Sequence, residues 1–162
     1  MMEKWNLLYE RNRKLDSIFE SKYLDTVDKY YEKNALELII EFGEFINETK
    51  CFKYWSIKKP NISDMLEEYA DCFLMVLYLY NHFDINEVKL VEIDKEKDIL
   101  LEINNIFNLM TGLIKNGSKE LSEVIFSHMY YLKDLLEIRE EDIIEACYKK
   151  IIINEERLAS DY

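Results

Sequence analysis

ALELIIEFGEFINETK, residues 35–50, places its acids at Glu37, Glu41, Glu44 and Glu48, intervals of four, three and four. At about 100° per residue these side chains occupy an arc of only ~60° on a helix. Leu36, Leu38, Ile39, Ile40, Phe42, Phe45 and Ile46 surround nearly all the rest. The period is therefore helical, and the segment reads as part of a helix running from about 25 to 50. No Lys or Arg occurs from Asn34 to Thr49, so no partner one turn away neutralises the stripe.

The same pattern recurs downstream. Asp64, Glu67, Glu68 and Asp71 stand on a third helix, expected from an N-cap at Ser63 to about 82, and no Lys or Arg lies between Pro60 and Val88. Directly after Asp71 comes CFLMVLYLY, residues 72–80, an apolar run that must be buried on most sides. Periodicity marks four further helices. The first covers about 2–20, with Trp5, Leu8, Leu15, Ile18 and Phe19 inward, and the fourth about 94–115 after a break at 84–92. Asn116-Gly117-Ser118 ends that helix as a C-cap and opens a fifth to about 137, and the last begins near Arg139. Cys51 to Ile62, with the one proline, is a loop. The expectation is an all-α bundle of about six helices with short links, forming one domain over residues 1–162.

Composition supports this and excludes several function classes. Glycine and proline together are 4 of 162 residues, against roughly 12% in ordinary usage. Gly43, Gly112 and Gly117 fit no phosphate-cradling glycine loop. Gly43 instead suggests room between Glu41 and Glu44. A net charge of -12 argues against nucleic acid or an anionic membrane as partner. The longest uncharged stretch, Cys72 to Phe83, is 12 residues, too short to span a bilayer. Three cysteines without a zinc spacing, and an N-terminus without a signal-peptide core, suggest reduced thiols and a cytoplasmic location.

Either acidic pair alone is commonly a solvated face. Two pairs on strongly apolar helices, joined by a loop that lets the helices pack together, make a cage of oxygen ligands. Such a cage suits Mg²⁺ or Mn²⁺. Zinc would call for His or Cys, and His82 and His128 read as incidental helix residues.

Three blocks resemble the dimeric all-α dUTP pyrophosphatases, within the superfamily of all-α nucleoside-triphosphate pyrophosphatases that includes the MazG-like proteins. ELIIEFGEFINETKCFKYWS (37–56) resembles the family's E-x-x-E helix and F-K-x-W-S loop. LEEYADCF (66–73) resembles its E-x-x-D helix, and YKKIIINEERLASDY (148–162) its closing K-x-x-x-N-x-x-R segment with a terminal tyrosine. The resemblance implies that Glu41, Glu44, Glu68 and Asp71 coordinate Mg²⁺ and that Glu41 activates the attacking water. It implies that Lys150, Asn154, Arg157 and Tyr162 hold phosphates, and that Asn12, Asp16, Lys53 and Trp55 contact the nucleotide. Independently, 150, 154 and 157 share one helical face, although Lys150 and Arg157 would also suit an ordinary surface pair.

The implied reaction is hydrolysis of dUTP to dUMP and pyrophosphate by a homodimer. The departures concern the base. Asn12, four residues before Asp16, stands where a Gln is common, and Cys72-Phe73-Leu74-Met75 replaces G-L-H-F. In the closing block, Ile151, Leu158 and Asp161 replace Asn, Gln and Gly. A pyrophosphatase with another or broader base preference and a non-enzymatic helical interaction protein are the competing readings.

Overall fold

The computed structural model describes residues 2–160. Among them the regular structure is helical throughout: α1 (Glu3–Tyr23), α2 (Tyr30–Thr49), α3 (Ile62–His82), α4 (Ile99–Thr111), α5 (Leu113–Asn116), α6 (Lys119–Leu135) and α7 (Glu140–Ala159). The all-α expectation holds, with a seventh, one-turn helix where Gly112 divides the fourth segment. None of the helices is long and apolar enough to cross a membrane.

The apolar run at 72–80 places α3 at the centre, packed against α1, α2, α6 and α7. Of that run only Met75 keeps partial exposure. Aromatic rings fill the space around it. Trp5 lies 4.7 Å from Phe73 and 5.2 Å from Phe126, and Phe45 stacks on Tyr69 with centroids 4.0 Å apart. Trp5 buries completely, and its indole Nε1 donates to Glu140 Oε1 at 2.6 Å, fastening α1 to the start of α7.

Several local expectations are corrected. The N-cap of α3 is Asn61, not Ser63. Its Oδ1 accepts from Ser63 N at 3.0 Å and Asp64 N at 3.3 Å, because its extended backbone aims the side chain at the orphan amides. Ile18 is exposed. Phe19, the next residue, does turn inward as expected, packing against the core while it stacks on Tyr23 of the same helix.

The fourth helix begins at Ile99 rather than 94, since Asp98 caps it by accepting from Leu100 N and Leu101 N. Before it, residues 83–98 form a long non-helical segment rather than a short link. Distant side chains hold this segment. Asn6 pairs with both backbone groups of Val88, Tyr9 donates to Ile85 O, and Ser127 accepts from Val91 N. Glu102, fully buried, accepts from Glu96 N and contacts His128 Nδ1 at 2.5 Å. His128 is thus a buried partner, not an incidental residue.

Gly117 ends a helix as expected, here the one-turn α5. Gly117 has φ -58° and does not need glycine for a left-handed turn. It needs it for space, as a Cβ would lie 2.0 Å from the Tyr31 hydroxyl and 2.6 Å from Leu113 O. At Gly43 a Cβ would meet nothing within 4 Å, so the room expected there is present and a methyl group would fit in it. Gly117→Ala should destabilise by about 1–3 kcal/mol through overpacking. Gly43→Ala should stabilise by about 0.5–1 kcal/mol through helix propensity. Urea denaturation of both variants would check this, and equal shifts would contradict it.

Candidate active site

Helices α2 and α3 run in opposite senses, so that Glu44 lies beside Glu68 while Glu37 feels the charge of Asp71. The stack of Phe45 on Tyr69 fixes this register. Each ring follows an acid in sequence, so seating Phe45 and Tyr69 in the core turns Glu44 and Glu68 to the shared edge. There Glu41, Glu44 and Glu68 bring one carboxylate oxygen each within 4.8 Å of one another. Three of the four expected metal ligands therefore converge.

The electrostatics show what this proximity costs. Burial, reinforced by Asp71, Glu44, Glu68 and Glu37, pushes Glu41 up to about 7. Burial together with Asp71 and Glu44 raises Glu68 as well. Asp71, the fourth expected ligand, lies outside the triad and has its own cation. Lys150 Nζ sits 3.0 Å from Asp71 Oδ2 and 3.0 Å from Glu67 Oε1. Burial raises Asp71 while Lys150 pulls it down, and the net shift is upward. Burial of Lys150 opposes its charge, but the bonds to Asp71 and Glu67 outweigh that and hold it protonated.

The converging atoms are carboxylate oxygens at half-buried or exposed positions on an otherwise apolar interface, with neither His nor Cys among them. This fits a hard divalent cation such as Mg²⁺ and not zinc.

The expected nucleotide residues divide between two places. Asn12, Asp16 and Asn154 line one cavity of about 160 Å³, together with Tyr30, Glu37 and Tyr78. Asn12 is buried, and its Nδ2 donates to Leu74 O and Asp16 Oδ2, both at 3.2 Å. It is therefore not a solvent-facing residue. Burial and the nearby Glu20 push Asp16 up to about 8. Glu37 lies one turn before Glu41, and Asn154 one turn after Lys150, so the cavity adjoins both the acids and the lysine.

Lys53 and Trp55 do not join this group. They line a separate surface depression with Lys50 and Lys58, and Trp55 is 64% exposed. Arg157 is exposed on α7, and its charge reaches Asp71. Tyr162 lies outside the described residues.

Two residues at the site went unread in the sequence. Glu67 proves to be a partner of Lys150, a pairing between helices that no local pattern encodes. Tyr78 did leave a signal. Asp71, Leu74 and Tyr78 are spaced i, i+3, i+7 and so share a face of α3.

The three carboxylates belong to α2 and α3, the cavity to α1, α2, α3 and α7. The family model described as dUTPase matches residues 4–162, a range that contains all of these site residues. No curated protein and no solved structure matches the chain. The match over nearly the whole length removes the reading as a mere interaction protein, and the chain belongs to the dUTPase family of dUTP-hydrolysing enzymes.

Proposed function

We propose that this protein is a Mg²⁺-dependent dUTP diphosphatase that converts dUTP to dUMP and pyrophosphate. The observation that carries the reading is the convergence of Glu41, Glu44 and Glu68 beside the Lys150–Asp71 pair. Glu41, Glu44, Glu68 and Asp71 would hold Mg²⁺, with Mn²⁺ as a substitute. The bound ion would acidify water and neutralise charge on the phosphate oxygens.

The chain's own groups supply the remaining steps. Glu41, whose carboxyl the neighbouring acids and burial push up to about 7 in the metal-free protein, would be ionised by a bound cation and so placed to take a proton from the water that attacks phosphorus. Lys150 would leave Asp71 and Glu67 to bind phosphate oxygens, where an ammonium offsets the charge that develops as pyrophosphate departs. Asn154, Arg157 and Tyr162 would hold the same phosphates. Asn12 and Asp16 would face the base.

Lys53 and Trp55, remote from the cavity within one chain, would meet the nucleotide bound by a second copy in a homodimer. The absence of a membrane-crossing helix among the described residues is compatible with a cytoplasmic enzyme.

The test is pyrophosphate release from a panel of dNTPs with and without Mg²⁺. Preference for dUTP with strict Mg²⁺ dependence is expected. A preference for dCTP or a purine would favour the broader specificity, and activity unchanged by chelation would refute the metal assignment. Thermal unfolding gives a second check. Mg²⁺ should raise Tm by mass action, by about 2.7 kcal/mol of stability at a hundred times its Kd. NaCl at the same ionic strength should do much less. Equal shifts would mean that simple screening relieves the acids.

A further inference from the structure

Glu37 has no part in the carboxylate triad, yet it stands between that triad and the cavity. Tyr30, Asn34, Glu37 and Glu41 are spaced i, i+4, i+7 and i+11, so they share one face of α2. The first three line the cavity, and the fourth belongs to the triad. Glu37 is therefore about 6 Å along the helix from Glu41, one turn at about 1.5 Å per residue. Its charge acts on Glu41 and Asp71 toward the metal end and on the Tyr30 hydroxyl within the cavity. These effects put the carboxylate itself in the passage between the two places. Glu37 is exposed, and among the described residues it takes part in no hydrogen bond or ion pair.

Under the proposed function, a nucleotide laid from the triad into the cavity meets this carboxylate at a definite point. Its phosphates lie with Glu41, Asp71 and Lys150, its base with Asn12 and Asp16, and its sugar between them. From α3 the cavity receives Leu74 and Met75 at this level, one turn beyond Asp71. These side chains suit the carbon face of a sugar and offer its hydroxyl nothing better than a thioether. An ionised carboxylate only accepts hydrogen bonds. Along a deoxynucleotide, the first donor after the 5′-phosphates is the 3′-hydroxyl, and it is the sugar's only one.

We propose that Glu37 accepts a hydrogen bond from the 3′-hydroxyl of the bound deoxynucleotide and is a further specificity-determining residue of this enzyme. This rests on the proposed function, which puts the phosphates at the triad and the base in the cavity. The contact gives the acid a purpose beside a polyanionic substrate, where a carboxylate without a donor would only repel.

Substrate and residue can be altered together. The wild type should favour dUTP over 2′,3′-dideoxy-UTP by about tenfold to a hundredfold in kcat/KM, the range for one hydrogen bond to a charged group. In Glu37→Ala that preference should disappear. In Glu37→Gln, which keeps an acceptor oxygen, part of it should remain. The ratio isolates the contact, because removing a charge near the phosphates shifts both substrates alike. Equilibrium binding of dUMP and its 3′-deoxy counterpart should show the same pattern without turnover. Equal preference in wild type and Glu37→Ala would overturn the assignment. So would a loss of Mg²⁺ affinity in Glu37→Gln as large as in Glu44→Gln, which would make Glu37 a metal ligand. If the wild type cleaves no dUTP, the proposed function itself fails. A wild type that cleaves dUTP and its dideoxy analogue alike removes only the role of Glu37.

Discussion

Glu41→Gln should lower dUTP hydrolysis by about 10²- to 10⁴-fold, the range for loss of a positioned proton acceptor, while making the metal-free protein more stable. The two effects have one origin. Glu41 faces Asp71, Glu44, Glu68 and Glu37 from a partly buried position, and its carboxyl is pushed up to about 7. An amide has the same shape without the charge, so it relieves repulsion that the folded protein otherwise sustains. The wild-type pH dependence has a definite sign. A carboxyl raised in the folded state contributes its full stabilisation below the unfolded value of about 4.5 and loses it as pH rises through about 7. Metal-free wild type should therefore lose stability over that window, and Glu41→Gln should lose less. The variant should also respond more weakly to Mg²⁺. Activity within tenfold of wild type, or a lower Tm without metal, would show that Glu41 neither accepts the proton nor carries the repulsion.

Lys150→Met should reduce kcat/KM by about 10²- to 10³-fold and cost about 1–3 kcal/mol of stability. Lys150 is 8% exposed and lies 3.0 Å from both Asp71 and Glu67. A methionine keeps much of the stem's volume and removes the charge, leaving Asp71 half-buried with its principal cation gone. Breaking such a pair from one side costs more than the pair is worth, because the remaining charge is stranded. Without the ammonium the Asp71 carboxyl should rise further, so the loss of stability should be largest at neutral pH and fade on acidification. Urea titrations at pH 5 and pH 7.5 would separate this from a packing defect, which would be the same at both. Acid should restore stability but not turnover.

The acids were legible because a helix converts spacing into position. Glu41 and Glu44, with Phe42 and Phe45 beside them, fix both the face that is buried and the edge that is not. Asn61 and Ser63 were harder to rank, since both are good caps and the backbone angle that decides between them belongs to the loop. Residues 94–98 look helical because the apolar residues that follow extend the pattern backward. The non-helical path of the segment leading to them depends on Asn6 and Ser127, distant partners of Val88 and Val91, and within 94–98 on Glu102, which accepts from Glu96 N. The same limit hid Glu67 as a partner of Lys150. The motif groups Lys53 and Trp55 with the nucleotide residues, and a single chain does not bring them there.

Lys150 has a consequence for the order in which ligands bind. One ammonium cannot neutralise Asp71 and a phosphate at once. Under the proposed function, a cation that took over Asp71 would set Lys150 loose for the nucleotide, and a nucleotide that captured Lys150 would leave Asp71 to a cation. Each ligand therefore prepares the other's place, and by thermodynamic reciprocity each should tighten the other's Kd by the same factor. Free of both, the protein keeps its lysine as an internal counterion to Asp71 and Glu67, and under the proposed function either ligand would loosen it for the other.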